Sequence, residues 1–411
     1  VTDLQTRAAP PRAGALRRAA PALLGYAAVR ALGLLVLFVW SAARDKSAYT
    51  LLTARWDALW YVRVAELGYG YEVRLPNGDV HSNLAFFPLL PWLERLVAAV
   101  SPLSYADGGF LVALSASLAA AWGIFAVADR VYGRRAGVCA VLLWAVLPIG
   151  IVQSMAYSES LFTALAAWSL YAVLTGRWVT AGALASLAGL TRPVGAAVVA
   201  AVWAAAIASF LAERRAAATE GDGRASAADE GRGSEAGGRM VPAAASRTRR
   251  VLGMLLAPLG TAGFVLWVGH RTGRGPLGYL DVQAGWRNGF DGGYAFARFV
   301  AEKFTSFPSA LAGAGLIVGV VSVVWLYGVG VRQRQPLPLL VYTGIVTALA
   351  LCASSYFGSK PRLLMPAFPL LLPLALALAR QRMRRSAWVL GAVAVICSGY
   401  GAFWLNGSGP P

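Results

Sequence analysis

Repeated runs of apolar residues, each near the roughly 20 residues a helix needs to cross a hydrocarbon core, constrain this chain more than any other feature. They fall near 22–41, 107–128, 136–153, 159–175, 178–191, 194–212, 251–269, 309–330, 337–354, 363–379 and 387–405. Inside a bilayer the backbone must satisfy its own polar groups, and helices do so within one segment. The expected fold class is an all-α polytopic membrane protein with about eleven transmembrane helices. With 58% hydrophobic and 14% charged residues, a soluble multidomain protein is a poor fit.

The formal charge of +18 does not point to nucleic acid, because the arginines come in short clusters between apolar runs rather than along one surface. With the N-terminus in the cytoplasm, Arg130/Arg134/Arg135, Arg177, the stretch after Arg214, Arg332/Arg334 and Arg380/Arg382/Arg384/Arg385 all fall inside. The first run follows four arginines, as in a signal peptide, yet 23–40 is longer than a usual signal core and is read as a retained span. Residues 213–249, rich in Ala, Gly, Ser, Arg and Glu, read as a disordered cytoplasmic linker. It separates an N-terminal membrane module (1–212, with the outer loop 42–106) from a C-terminal one (250–411, with the outer loop 270–308). "AFFPLLPWLERLVAAV" (85–100) is apolar but carries two prolines and Glu94/Arg95, so it reads as an interfacial helix of the first outer loop. Cys139, Cys352 and Cys397 lie in apolar runs, and His81 and His270 have no ligand-spaced neighbours. Neither a disulfide framework nor a zinc site is implied.

The outer loops are where chemistry is expected. In "RWDALWYVRVAELGYGY" (55–71), Trp56, Trp60, Val64 and Leu67 follow helical spacing, with Asp57, Tyr61 and Glu66 on other faces. Asp57 reads equally as a helix cap or partner of Arg55 and as a functional acid. Glu159 in "MAYSESLF" is either a boundary carboxylate capping with Ser158 or the partner of Asp57 across a site. Arg192 in "GLTRPVG" stands in an apolar neighbourhood, where a guanidinium either snorkels to headgroups or forms an anion site. Lys360 and Arg362 in "GSKPRLLMPAFP" admit the same two readings. The loop 278–296 sets Gln283 and Trp286 among Asp281, Arg287, Asn288, Asp291 and glycines, a composition that suits sugar faces and hydroxyls but is also ordinary loop chemistry. The outer loops hold no GxxxxGK[ST] run, HExxH or paired DxD. A nucleotide donor would also be on the wrong side, while a lipid-linked donor is physically reasonable.

"RWDALWYVRVAELGY", "NLAFFPLLP", "AYSESLF" and "GLTRPVG", in this order and at similar intervals, resemble the PIG-V family of mannosyltransferases and their bacterial relatives, within the GT-C class of multispan glycosyltransferases. The match is specific over roughly residues 50–200, and "KPRLLMPAFP" still resembles the GT-C pattern of a basic residue before an LPxFP-like span. The resemblance implies a GT-C-like bundle and an inverting transfer, without metal or other cofactor, on the outer face of a membrane. The donor it implies is a polyprenyl-phosphate sugar, expected to be mannose, and the acceptor a lipid or glycan. The family's essential acid falls on Asp57 and its second acidic position on Glu159. Arg192, Lys360 and Arg362 become candidates for the donor phosphate, and Arg55, Trp56, Trp60, Tyr61, His81, Asn83, Gln283 and Trp286 for substrate contacts. This sequence has Trp60 where the family's form is "WDAxHY", so acceptor contacts differ there. The high Ala/Arg/Gly content points to a bacterial plasma membrane. A lipid or solute transporter is the competing expectation, and a scaffold without catalysis a third. Membrane lipids are partners under all three, and nucleic acid under none.

Overall fold

The computed structural model describes residues 12–229 and 243–407 and is almost wholly helical. In chain order the first helices are α1 (Arg12–Ala42), α2 (Ala48–Thr53), α3 (Asp57–Leu67), α4 (Leu89–Val100), α5 (Tyr105–Tyr132), α6 (Arg134–Ala145), α7 (Ser158–Leu174), α8 (Trp178–Gly189) and α9 (Ala196–Asp229). They are followed by α10 (Ala243–Leu256), α11 (Leu259–Thr272), α12 (Gly278–Gly285), α13 (Tyr294–Glu302), α14 (Ser309–Arg332), α15 (Leu337–Cys352), α16 (Lys360–Leu364), α17 (Leu372–Arg380) and α18 (Met383–Leu405). A hairpin of β1 (Glu72–Arg74) and β2 (Val80–Ser82) lies between α3 and α4, pairing Val73 with His81.

Among the described residues six helical stretches are long and apolar enough to cross a membrane: Gly14–Ala42, Tyr105–Tyr132, Pro193–Thr219, Arg247–Thr272, Ser309–Arg332 and Met383–Leu405. Phe357–Leu364 and Phe368–Arg380 together make a further stretch bent by 74°, and Ser158–Leu174, Trp178–Gly189 and Leu337–Cys352 are shorter apolar helices. The run expected at 136–153 is corrected: α6 stops at Ala145 and only a 3-10 turn, Gly150–Ser154, follows. Pro148 lacks the N–H a continuing helix needs, so the chain breaks there. The freed carbonyls of Ala145 and Gly150 accept from the buried guanidinium of Arg30 on α1, and that of Trp144 accepts from Gln153 Nε2 at 2.7 Å. Irregular backbone at membrane depth is tolerated when side chains supply its partners in this way.

Close helix contacts rest on small residues. A Cβ on Gly182 of α8 would stand 2.2 Å from the Gly253 carbonyl oxygen of α10, and one on Gly260 1.8 Å from that of Ser186. Arg18 pairs with Asp129 at 2.7 Å, Tyr132 donates to Gln333 at 3.2 Å, and Arg135 donates to the Gln381 carbonyl. The basic clusters at 130–135, 332–334 and 380–385 therefore gather at one end of the bundle.

The segment read as a linker is also corrected at both margins, since α9 continues to Asp229 and α10 begins at Ala243. Glu213 on α9 pairs with Arg250 at 2.6 Å and Arg247 at 3.5 Å on α10. Ala, Glu and Arg lack apolar periodicity here but are strong helix formers, so composition alone understated the helix. The part of that segment at 230–242 lies outside the described residues.

At the other end α4 is amphipathic, burying Leu90, Pro91 and Glu94 while Trp92, Leu96 and Val100 are exposed. Glu94 is fully buried, and neither carboxyl oxygen has a hydrogen-bond partner. Gly109 of α5 makes room for it, since a Cβ there would stand 2.5 Å from Oε1. Burial pushes this carboxyl up to about 9. The folded chain therefore keeps a proton that the unfolded chain releases, and this contribution to stability, complete at low pH, is lost as pH rises toward 9. Thermal unfolding of purified protein at pH 5 and pH 9 is expected to show lower stability at pH 9, and Glu94→Gln to flatten the difference. An unchanged pH dependence in that variant would rule Glu94 out as its source.

Candidate active site

Asp57 opens α3, and the residue before it, Trp56, has φ 51°, a left-handed conformation that is strained for a bulky side chain. The Arg55 guanidinium lies 4.1 Å from the Trp56 ring centroid. The helix expected through Trp56 thus starts one residue later, and the turn that delays it aims the Asp57 carboxylate at α16. There Arg362 Nη1 meets Asp57 Oδ2 at 2.8 Å, while Arg362 Nε lies 3.3 Å from Glu159 Oε1. Glu159, in the first turn of α7, is also paired with Arg192 from the turn between α8 and α9. Two carboxylates and two guanidiniums, from four separate parts of the chain, form one cluster.

Exposure separates the two acids. The Glu159 side chain is 1% exposed and sits under both guanidiniums, whereas that of Asp57 is 26% exposed. Asp57 keeps an open edge, whereas Glu159 is enclosed by its arginines. The ion contacts are close but poor in hydrogen-bond angle, so both Glu159 oxygens and Arg362 Nε and Nη1 remain without a proper hydrogen bond. Arg362 also covers the Tyr157 ring at 5.1 Å. Arg192 Nη1 donates to Ser158 Oγ at 3.2 Å, and that hydroxyl lies 2.7 Å from the Tyr61 hydroxyl. Burial raises the Tyr61 phenol well above its ordinary value, which keeps it protonated. Tyr157 and Ser158 were not singled out as site residues in the sequence, although both flank Glu159 in "AYSES".

Lys360 does not join the cluster. Its ammonium donates to the carbonyls of Ala350 at 2.9 Å, Leu351 at 3.3 Å and Ala353 at 2.8 Å, closing the C-terminus of α15. With all its donors spent, it is withdrawn from the phosphate set. Asn83 is fully buried and turned to backbone, accepting from Gly70 N at 3.0 Å and donating to the Gly68 carbonyl at 2.9 Å, and is withdrawn from the substrate contacts. Gln283 Nε2 donates to the Tyr279 hydroxyl at 2.5 Å, and its Oε1 accepts from Asn288 at 2.9 Å.

The remaining aromatic candidates meet beside α3. Trp60 lies parallel to Phe86 at 5.7 Å and edge-on to Trp286 at 4.8 Å, and His81 stacks on Trp286 at 4.0 Å. Trp286 Nε1 donates to the Ser82 carbonyl at 3.0 Å and Arg287 pairs with Asp79 at 2.6 Å, which ties the loop 278–296 to the hairpin. Burial lowers His81, so its imidazole is held neutral.

No protein-family model and no curated protein matches the chain. Among solved structures it is similar to ArnT from Cupriavidus metallidurans bound to undecaprenyl phosphate, with TM-score 0.51 and 16% identity over 90% of this chain and 63% of that one. The fold is GT-C-like. The apo state of ArnT gives TM-score 0.48 at 13% identity over 92% of this chain and 74% of that one. AglB from Archaeoglobus fulgidus, in complex with an inhibitory peptide and a dolichol-phosphate, gives 0.46 at 11% identity over 94% and 56%. The chain thus spans less than two thirds of the length of the ArnT chain to which this GT-C-like fold is compared.

The cluster predicts an asymmetry in stability. Glu159→Gln removes the buried carboxylate that touches both Arg192 and Arg362 and is expected to cost about 3–5 kcal/mol. Asp57→Asn removes one of the two acids on Arg362 and leaves both guanidiniums on Glu159, so it is expected to cost less than Glu159→Gln. Thermal unfolding of the two variants in detergent checks this, and equal losses would contradict the assignment of Glu159 as the anchor.

Proposed function

We propose that this protein is an inverting glycosyltransferase that moves a sugar from a polyprenyl-phosphate donor to a lipid or glycan acceptor, with Asp57 as general base. The observation that carries the reading is the convergence of Asp57, Glu159, Arg192 and Arg362 at the end of the bundle away from the basic clusters. Arg362 and Arg192 are the phosphate-binding pair of this reading. The Arg362 fork lies against carboxylate oxygens, and the oxygens of a phosphate fit the same fork. The ArnT structure of this fold was obtained with undecaprenyl phosphate, which supports a ligand of that class here. Mannose as the sugar rests on the "RWDALWYVRVAELGY" and "AYSESLF" motifs.

In this mechanism the acceptor hydroxyl attacks the anomeric carbon from the face opposite the phosphate. Its oxygen forms the new glycosidic bond while the proton passes to Asp57, a step worth about 10²–10⁴-fold. The bond from the anomeric carbon to the phosphate oxygen breaks, and its electron pair leaves with the polyprenyl phosphate. Arg362 and Arg192 stabilise the charge that builds there, most strongly in the transition state. Before the donor binds, Arg362 holds Asp57 in an ion pair; a phosphate that takes the guanidinium leaves the carboxylate free to accept a proton. Arg55, Trp56, Trp60, Tyr61, His81, Gln283 and Trp286 lie on the acceptor side of this reading. The positive-inside pattern supports an outward-facing site, and this reading takes the membrane to be a bacterial plasma membrane.

Purified protein in vesicles, given labelled polyprenyl-phosphate mannose and a panel of lipid and glycan acceptors, is expected to transfer the label. Asp57→Asn is expected to lower kcat by 10²–10⁴-fold with folding retained, and Arg362→Gln to lower kcat and weaken donor binding together. Solute flux without transfer, or full turnover by Asp57→Asn, would overturn the proposal.

A further inference from the structure

Arg30 is a buried charge that the transfer reaction does not use. It stands near the middle of the membrane-crossing stretch Gly14–Ala42 and is nine-tenths buried. Of the three buried arginines among the described residues, Arg250 pairs with Glu213 and Arg362 with Asp57 and Glu159, whereas Arg30 has no acid within ion-pair distance. Its terminal nitrogens donate to the Gly150 and Ala145 carbonyls, and its Nε has no hydrogen-bond partner. Carbonyl dipoles accept hydrogen bonds but cancel no net charge, and a guanidinium does not give up its proton. A lone charge at this depth in a bilayer is costly until something of opposite sign joins it.

A place for that partner lies beside the side chain. Between α1, α18 and the turn Gly150–Ser154 there is a cavity of about 10 Å³ lined by Arg30. It has room for a single water-sized occupant. Cys397 and Ser398 of α18 complete its polar lining. The Ser398 hydroxyl is buried and, among the described residues, is also without a hydrogen-bond partner. Glycines keep the space open. A Cβ on Gly150 would stand 2.9 Å from Arg30 Nη2, and Gly33 leaves Ser398 Oγ uncovered, since a Cβ there would stand 3.8 Å from it. Guanidinium, hydroxyl and thiol are all donors. Water matches the size of this cavity; a monatomic anion matches its size, its donors and its charge.

We propose that the cavity binds one halide ion, chloride in the cell, as the counter-ion of Arg30. The ion neutralises the guanidinium where it holds the chain break after Ala145, and it fastens α1 and α18 to the turn that leads into Tyr157 and Glu159. This site is independent of the transfer reaction.

Full-length protein purified in detergent, exchanged into sodium gluconate and titrated with sodium chloride at constant ionic strength, tests the proposal. The unfolding temperature is expected to rise by about 2–4 °C and then level off, with bromide acting alike. Ser398→Val removes one donor and leaves the backbone contacts of Arg30 in place. It is expected to raise the chloride concentration needed for half the effect at least tenfold, and Arg30→Gln to abolish the response. Crystals of the wild type grown in bromide give a second readout that does not depend on how the variants fold: an anomalous peak beside Arg30 is expected. A response that does not saturate, an equal response in Ser398→Val, or a cavity without that peak overturns the proposal. The occupant is then water, or a Cys397 thiolate supplies the missing charge.

Discussion

The Arg362 guanidinium, held between Asp57 and Glu159, is the contact on which the rest of this architecture depends. A charge near a bilayer is tolerated when it is paired, and an arginine in contact with two acids selects one arrangement of the helices that carry them. The cluster draws in α3, the start of α7, the turn after α8 and the short α16. None of these is a full-length span. The long helices α1, α5, α14 and α18 serve as the frame against which these shorter pieces are set. The end that carries the cluster is thus assembled from breaks in helices, and charge pairing decides how the breaks meet.

Breaks carry their own cost, since each frees backbone carbonyls within an apolar bundle. The structure answers with long polar side chains sent from neighbouring helices. Arg30 reaches the carbonyls of Ala145 and Gly150, Trp144 Nε1 donates to that of Met365 at 3.1 Å, and the Tyr342 hydroxyl to that of Pro366 at 2.9 Å. Met365 and Pro366 lie in the bend that sets Arg362 above the bundle, so these two bonds hold the shape of the site from below. Arg30 stands in a membrane-crossing helix and on its own would favour a transport pathway, but its terminal nitrogens are engaged with backbone.

The sequence made legible those parts of the site whose partners are other charged side chains. In a chain this apolar, Glu159, Arg192 and Arg362 stand out because each lies at the edge of an apolar run, and Asp57 because it lies in the outer loop between two; runs ending on the same side bring these positions together. It did not show roles whose partner is backbone. Lys360 and Asn83 look like site residues because they are polar and adjacent to motifs; only the fold reveals that both are buried and turned to backbone. Glu94 was legible only as part of a polar pair that argued against a span, while its burial against Gly109 depends on how α4 docks onto α5. The helical margins of 213–249 were missed because a periodicity test detects amphipathic helices and passes over alanine-rich ones.

The different fates of Lys360 and Arg362, two residues apart on one short helix, follow from the geometry of their donors. An ammonium directs three N–H groups outward from a point, which matches three carbonyls converging at a helix terminus. A guanidinium presents a flat fork, which matches two carboxylates lying side by side and, equally, the oxygens of a phosphate. Exchanging the two residues would conserve charge and lose both fits. The basic residue before the bent helix is therefore two devices in sequence: a lysine that closes α15 and so fixes where α16 begins, and an arginine that α16 then delivers to the acids. The lysine contributes to the site only through the position it gives the arginine, so it looked like a ligand in the sequence and acts as part of the frame in the structure.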